Sequence, residues 1–283
     1  MDTIFSSKKG VGLALVILVG VLSFFFRNDI SKWLAFNDSL PPVIVEDTHE
    51  GDKISPPGNT EPVSEPPPPR PVGIVTPIAH TEPHYTGRDP MEVRPNPEEV
   101  KLFSEQQKKE LYAAIGNHGK AVKENPDYFN GWIQIGLIKK VIGDYEGARD
   151  AWEYAGMIRL LSSTPFSNLG ELYWRYLPNF PKSEANFKTA IKNNPTDEMV
   201  YISLSDLYFY SYAEKHGLAD DILLQGLEKN PNDINLLKTL ARVYEREKEY
   251  AKAIETWQKV LAAEPGNTDV ASVIESLKKK SVQ

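Results

Sequence analysis

The chain has 283 residues, 41% of them hydrophobic and 25% charged, with a net charge of −7 and no cysteine. That composition suits a folded protein of one or two domains and excludes disulfide staples, thiol catalysis and thiolate metal sites. Residues 1–40 carry a net +1, residues 41–97 a net −5 and residues 98–283 a net −3. No segment holds the basic excess that phosphate neutralisation requires, so no nucleic-acid partner is expected.

After a short leader, residues 1–10, Val11 to Phe26 form an uncharged run, VGLALVILVGVLSFFF, twelve of whose residues are Leu, Ile, Val or Phe. As a helix it is about 24 Å long, short of a ~30 Å hydrocarbon core. Lys8, Lys9 and Arg27 at its ends can snorkel to the headgroups and relieve that mismatch. The apolar side chains favour insertion by roughly 4–7 kcal/mol. A single-pass transmembrane helix over 11–26 is expected, with residues 27–40 as an interfacial segment anchored by Trp33. A cleaved signal peptide is the rival reading, and no small-x-small site follows the three phenylalanines to support it. Lysines before the span give a slight bias towards a cytoplasmic N-terminus, which places the bulk of the chain outside the cytoplasm.

Fifteen of the 22 prolines fall between Pro41 and Pro97. A segment this rich in Pro, Glu, Ser and Thr cannot offset its ordering entropy, so residues 41–97 are expected to be a disordered, polyproline-like linker. As a flexible coil it spans about 40–45 Å, and fully extended about 180 Å. The sharper alternative makes Pro66 to Pro71 a ligand for an aromatic-lined groove. Residues 71–79, PVGIVTPIA, are more apolar and are candidates to dock on the folded part. His80 and His84 stand at helical ligand spacing, but Pro83 argues against a helix there and hence against a metal site.

From residue 98 the pattern turns helical and repeats. A small, a large and a small residue recur at offsets 0, 4 and 7: Ala148, Trp152, Ala155; Ser183, Phe187, Ala190; Ala219, Leu223, Gly226; Ala253, Trp257, Val260. Pro195, Pro231 and Pro265 follow the last three at a fixed distance, and Pro126 stands in the same phase one unit earlier. Upstream of each triplet runs a large, large, small, aromatic stripe on one helix face. It reads Trp132, Ile135, Gly136; Phe166, Leu169, Gly170, Tyr173; Tyr201, Leu204, Ser205, Tyr208; and Leu237, Leu240, Ala241, Tyr244. Lys139 breaks the first stripe by standing where its aromatic belongs. The turns of units two and three are enlarged, by Pro178 and Pro181 and by His216-Gly217.

These residues resemble the tetratricopeptide repeat, a helix–turn–helix unit, over about residues 126–265. The expected fold is therefore an all-α tetratricopeptide-type solenoid of four repeats. It is flanked by a helical cap or degenerate half-repeat at 98–125, where Ala114, His118 and Ala121 echo the triplet. A capping helix at 266–283 follows, started by Thr268, with Val270, Ile274 and Leu277 inward and Lys278 to Lys280 at its negative end.

There is no glycine-rich phosphate loop, zinc-protease helix or serine elbow, so no catalysis and no cofactor are expected. The resemblance implies that the first helices of successive units line a concave groove that takes an extended peptide or a partner helix. Mapped onto this chain, the groove holds Ile133, Leu137, Lys140 and Val141 in unit one and Ser167, Glu171, Trp174 and Arg175 in unit two. Ile202, Asp206, Phe209 and Tyr210 follow in unit three, and Lys238, Arg242, Glu245 and Arg246 in unit four. Trp174, Phe209 and Tyr210 are not demanded by the repeat core; exposed beside Arg175 and Arg242, they have the composition of a binding hot spot. The alternative is that they pack against the enlarged turns or residues 71–79. Members of the family that clamp a C-terminal carboxylate use lysine and asparagine in their first units; Ile133 and Leu137 stand there, so that activity is not implied. The preferred reading is a membrane-anchored adaptor or scaffold with a protein or peptide partner. The alternative is a structural cell-envelope component whose stalk and repeats assemble with cell wall or an envelope complex, and a homo-oligomer is compatible with either.

Overall fold

The computed structural model describes residues 83–282, which contain eleven α-helices, one 3-10 helix and no strand. The apolar stretch 11–26, the interfacial segment 27–40 and residues 41–82 of the proline-rich segment lie outside the described residues. No helix among the described residues is long and apolar enough to cross a membrane.

A short α1 (Pro97–Val100) leads into α2 (Glu105–Glu124), which starts on a capping box. The Ser104 hydroxyl accepts from the Gln107 amide at 3.2 Å while the Gln107 side chain accepts from the Ser104 amide at 2.9 Å, so two otherwise orphaned donors are satisfied. Four hairpins follow: α3 (Phe129–Val141) with α4 (Tyr145–Ile158), α5 (Thr164–Arg175) with α6 (Phe180–Asn193), α7 (Glu198–Tyr210) with α8 (Ala219–Lys229), and α9 (Ile234–Arg246) with α10 (Tyr250–Ala263). A final α11 (Thr268–Lys280) closes the stack. Its cap is Asn267, whose side chain accepts from the Val270 amide at 3.1 Å, so Thr268 is the first helical residue and not the cap. Pro126, Pro195, Pro231 and Pro265 each stand two residues beyond a helix end, where a residue without an N–H cannot continue the ladder.

The repeating positions form the interior. All twelve triplet residues are buried, as are the stripe residues of the first helices except half-buried Phe166. The small stripe member faces the large triplet member of its own hairpin: a Cβ on Gly170 would lie 2.5 Å from Phe187 Cδ1. Where serine fills a small position, its hydroxyl donates across the hairpin, Ser183 to the Gly170 carbonyl at 2.7 Å and Ser205 to the Ala219 carbonyl at 2.8 Å. Leading aromatics bind the preceding turn in the same way, Trp132 Nε1 to the Pro126 carbonyl (2.8 Å) and Tyr201 Oη to the Pro195 carbonyl (3.1 Å). Beyond these hairpins, α7 packs on both α5 and α9.

Two features depart from the expected pattern. In α2 the buried residues are Leu111, Ile115, Gly119 and Val122, while Ala114, His118 and Ala121 are only half-buried. The buried phase of α2, which packs on α3, lies one residue later than the echoed triplet. The second departure adds a further covering. Residues 83–96, assigned by composition to the linker, run as an ordered strap over α2, α3 and α4. Tyr85 stacks at 4.4 Å from Trp132 and 5.3 Å from Tyr154, and Met91 crosses α2 at Gly119. Arg88 reaches Asp144 at 2.7 Å and Asp150 at 3.2 Å. Lys139, the misfit of the first stripe, is 2% exposed and donates to the Glu92 carbonyl at 2.8 Å with Asp144 at 3.3 Å. The missing aromatic is thus replaced by a buried ammonium that holds the strap.

Candidate functional site

The first-helix face is built by α3, α5, α7 and α9, and its residues divide into those used by the fold and those left over. Ile133 is buried in the core of the first repeats and Leu137 packs half-buried against it. Lys140 pairs with Glu171 across α3 and α5 at 2.8 Å, and Glu171 also lies 3.9 Å from Arg175 Nε. Lys238 pairs with Glu264 at 2.9 Å. Glu245 is turned inward, accepting from Trp257 Nε1 at 2.6 Å.

The aromatic trio does not stand together on the surface. Trp174 is only 8% exposed and donates from Nε1 to the Ser211 hydroxyl at 2.8 Å, with the Arg175 guanidinium stacked 3.8 Å over its ring. Phe209 is half-buried, 4.6 Å from the His216 ring, whose Nδ1 donates to the Phe209 carbonyl at 2.9 Å. Both are covered by the enlarged turn of unit three, the segment Ser211–Tyr212 and the 3-10 helix Ala213–Leu218. The exposed hot spot expected over three rings is therefore corrected to one, Tyr210, 45% exposed. The Arg246 guanidinium lies 5.4 Å from its ring centroid, within cation–π range.

At the centre of this face is Asp206 on α7. Burial pushes its carboxyl up to about 6, against the lowering influence of Arg175 on α5 and of Arg242 and Arg246 on α9. The three arginines come from the two helices that pack on either side of α7. The mapping by offset names each of these residues; that the carboxyl between them is desolvated has no sequence signal, because it depends on the rotation of three helices.

A second concavity was not expected at all. A cleft of about 660 Å³ opens beside the strap, lined among others by Pro83, Tyr85, Val122, Trp132, Tyr154 and Met157. Part of its wall comes from a stretch whose composition reads as linker.

No family model matches the chain. Over 105 residues it is 31% identical to tetratricopeptide repeat protein 8 of Mus musculus, an alignment that covers 37% of this chain and 19% of that protein. The chain thus spans about a fifth of the length of this curated relative. Among solved structures, that of MamA aligns with a TM-score of 0.48 at 18% identity, covering 58% of this chain and 94% of that one. YrrB, described as a tetratricopeptide repeat protein with an unusual peptide-binding site, gives 0.44 at 17%, covering 60% and 86%. A thermophilic tetratricopeptide repeat protein of Thermus thermophilus, TTC0263, gives 0.42 at 17%, covering 64% and 95%.

Proposed function

We propose that this chain is a membrane-anchored interaction module whose first-helix face captures a peptide or helix of a partner protein. The observation that carries the reading is the middle of that face. Tyr210, Arg242 and Arg246 are exposed there, and the hairpin cores make no use of them. Ile202 and Asp206 lie beside them on α7, half-buried, so a ligand would meet an apolar floor with charged walls. The apolar run 11–26 supports the anchor, and residues 41–82 would space the repeats from the bilayer. Tethering raises the local concentration of the face near the membrane, so that even micromolar affinity becomes effective. The reading gives the chain no catalytic step of its own.

The test is site-specific photo-crosslinking of the full chain in cells, from position 210 on the first-helix face and from position 188 on the second-helix side. Adducts of one partner from position 210 alone are expected, lost when Arg242→Ala is added. Equal adducts from both positions overturn the assignment of the face. Protease shielding of intact cells reports on the anchor separately: repeats digested only after lysis would place them inside.

A further inference from the structure

We propose that the cleft beside the strap, together with the leucine turn that follows α4, seats residues 71–79 of this chain, PVGIVTPIA, so that the strap continues along α4 beyond Pro83. This surface is built on the second helix of the first repeat, and the inference stands apart from the reading of the first-helix face.

The strap has a direction. Followed backwards from Asn96, its contacts climb α4. The Asn96 amide donates to the Ile142 carbonyl at 2.8 Å just before the helix, the Arg88 amide donates to Asp150 at 3.2 Å, and the Pro83 carbonyl accepts from Tyr154 Oη at 3.0 Å. The next surface on that line is the C-terminal end of α4, first Met157, which lines the cleft with Pro83 and His84, then Leu160 and Leu161. Met157 is 44% exposed and each leucine 69%; of the large apolar side chains among the described residues, only Val282 is more exposed than the two leucines. Their turn is held in place, because Asn193 Nδ2 donates to the carbonyls of Leu160 at 2.8 Å and Ser162 at 3.0 Å. The positions after α2, α6, α8 and α10 that correspond to Leu160 are Pro126, Pro195, Pro231 and Pro265, so the leucine pair is peculiar to the turn that faces the end of the strap. An ordered apolar patch that the array does not use marks a contact surface.

Composition and attachment select the occupant. Residues 71–81 hold no Asp, Glu, Lys or Arg, and Ile74, Val75 and Ile78 among them are large and apolar. Charges at the rim of the cleft are already matched, Lys123 by Asp89 at 2.8 Å and Asp127 by Arg159 at 2.8 Å, so an uncharged segment enters without stranding one. The reach suffices. Tyr154 to Ile158 spans about 6 Å at helical rise, and the two residues on to Leu160 add at most about 7 Å. The five steps from Ile78 to Pro83 extend to about 17 Å. Pro71 and Pro77 bring no N–H that would need a partner on the helix surface. Covalent attachment gives this segment an effective concentration that a free peptide must exceed to displace it. The free spacer then shortens to residues 41–70, a coil of about 30 Å.

Because the chain has no cysteine, disulfide trapping in the full chain, held in detergent micelles, reads this contact directly. Thr76→Cys is paired either with Ser163→Cys, beside the leucine turn, or with Lys120→Cys, on α2 close to the cleft residue Lys123. Under mild oxidation the 76–163 disulfide should form within one chain at least about tenfold faster than the 76–120 disulfide. Leu160→Ser with Leu161→Ser should erase that ratio while the far-UV circular dichroism stays that of the parent. Ile74→Ser with Val75→Ser and Ile78→Ser should erase it equally, and this second set changes no residue of the repeats. Equal rates for the two cysteine pairs, or a ratio that survives either set of serines, would overturn the seat. So would the absence of any disulfide, or a 76–163 disulfide found only between two chains, which would assign the surface to a second copy.

Discussion

Removing the Asp144 carboxylate should destabilise the N-terminal half of the repeats far more than an ordinary surface change. Asp144 and Lys139 are each 2% exposed at the side chain and lie 3.3 Å apart. Asp144 also binds Arg88 at 2.7 Å and caps α4 by accepting from the Gly147 amide at 3.1 Å. In Asp144→Ala the Lys139 ammonium remains buried with only the Glu92 carbonyl as partner. Breaking a buried pair on one side costs about 3–5 kcal/mol, and the lost cap about 1 kcal/mol more. The sum, roughly 4–6 kcal/mol, is a large fraction of the stability of a domain this size. Adding Lys139→Met removes the stranded charge, and a buried pair exchanged for apolar groups is often neutral. The double variant should therefore regain about 2–3 kcal/mol, a coupling visible in a double-mutant cycle. Urea unfolding of the full chain followed by circular dichroism measures the total. Hydrogen exchange in α3 and α4 localises it, since repeat arrays need not unfold as one unit. A single-variant loss under about 1 kcal/mol, or a double variant no better than the single, would refute the claim that a buried charge latches the strap.

Three further outcomes are expected. Gly170→Ala should cost about 1–3 kcal/mol by driving a Cβ into Phe187, and a Phe187→Leu background should reduce that loss, as thermal melts would reveal. Trp174→Ala should cost about 3–5 kcal/mol as a buried aromatic, whereas Tyr210→Ala stays within about 1 kcal/mol of the parent; the reverse order would contradict their placement. Asp206 has its carboxyl raised from 3.8 to about 6 in the folded chain. The fold therefore favours the protonated form, and this group's contribution falls as pH rises from about 4 through 6. Asp206→Asn should match the parent below about pH 4 and gain on it above about pH 6, read as a widening difference in urea midpoint; a constant difference across that range would count against the raised value.

The departures from pattern are instructive about where sequence reading stops. Lys139 is conspicuous in the sequence as a misfit, but its partner carbonyl is 47 residues upstream, in a stretch with the composition of a linker. Trp174 is equally conspicuous as an aromatic beyond the repeat core, and it reads as a surface anchor until Ser211, 37 residues on, is seen to accept its indole N–H. One contact ends in an irregular turn of the next unit and the other comes from outside the array, so neither leaves a periodic trace. Asp206 lies between these cases: its place on the face follows from its offset, and its desolvation among three arginines does not.

Sequence by itself determined the helical hairpins, their number, their phase and the residues of their interior. It could do so because the core contacts join positions within one short unit or between successive units, and the triplet offsets recur in all four. Tertiary structure alone decided which side chains remain for a partner, since that depends on what covers them. An irregular strap and one enlarged turn bury two aromatic sites and leave Tyr210 with its arginines in the open, through contacts whose strength owes nothing to the period of the repeat.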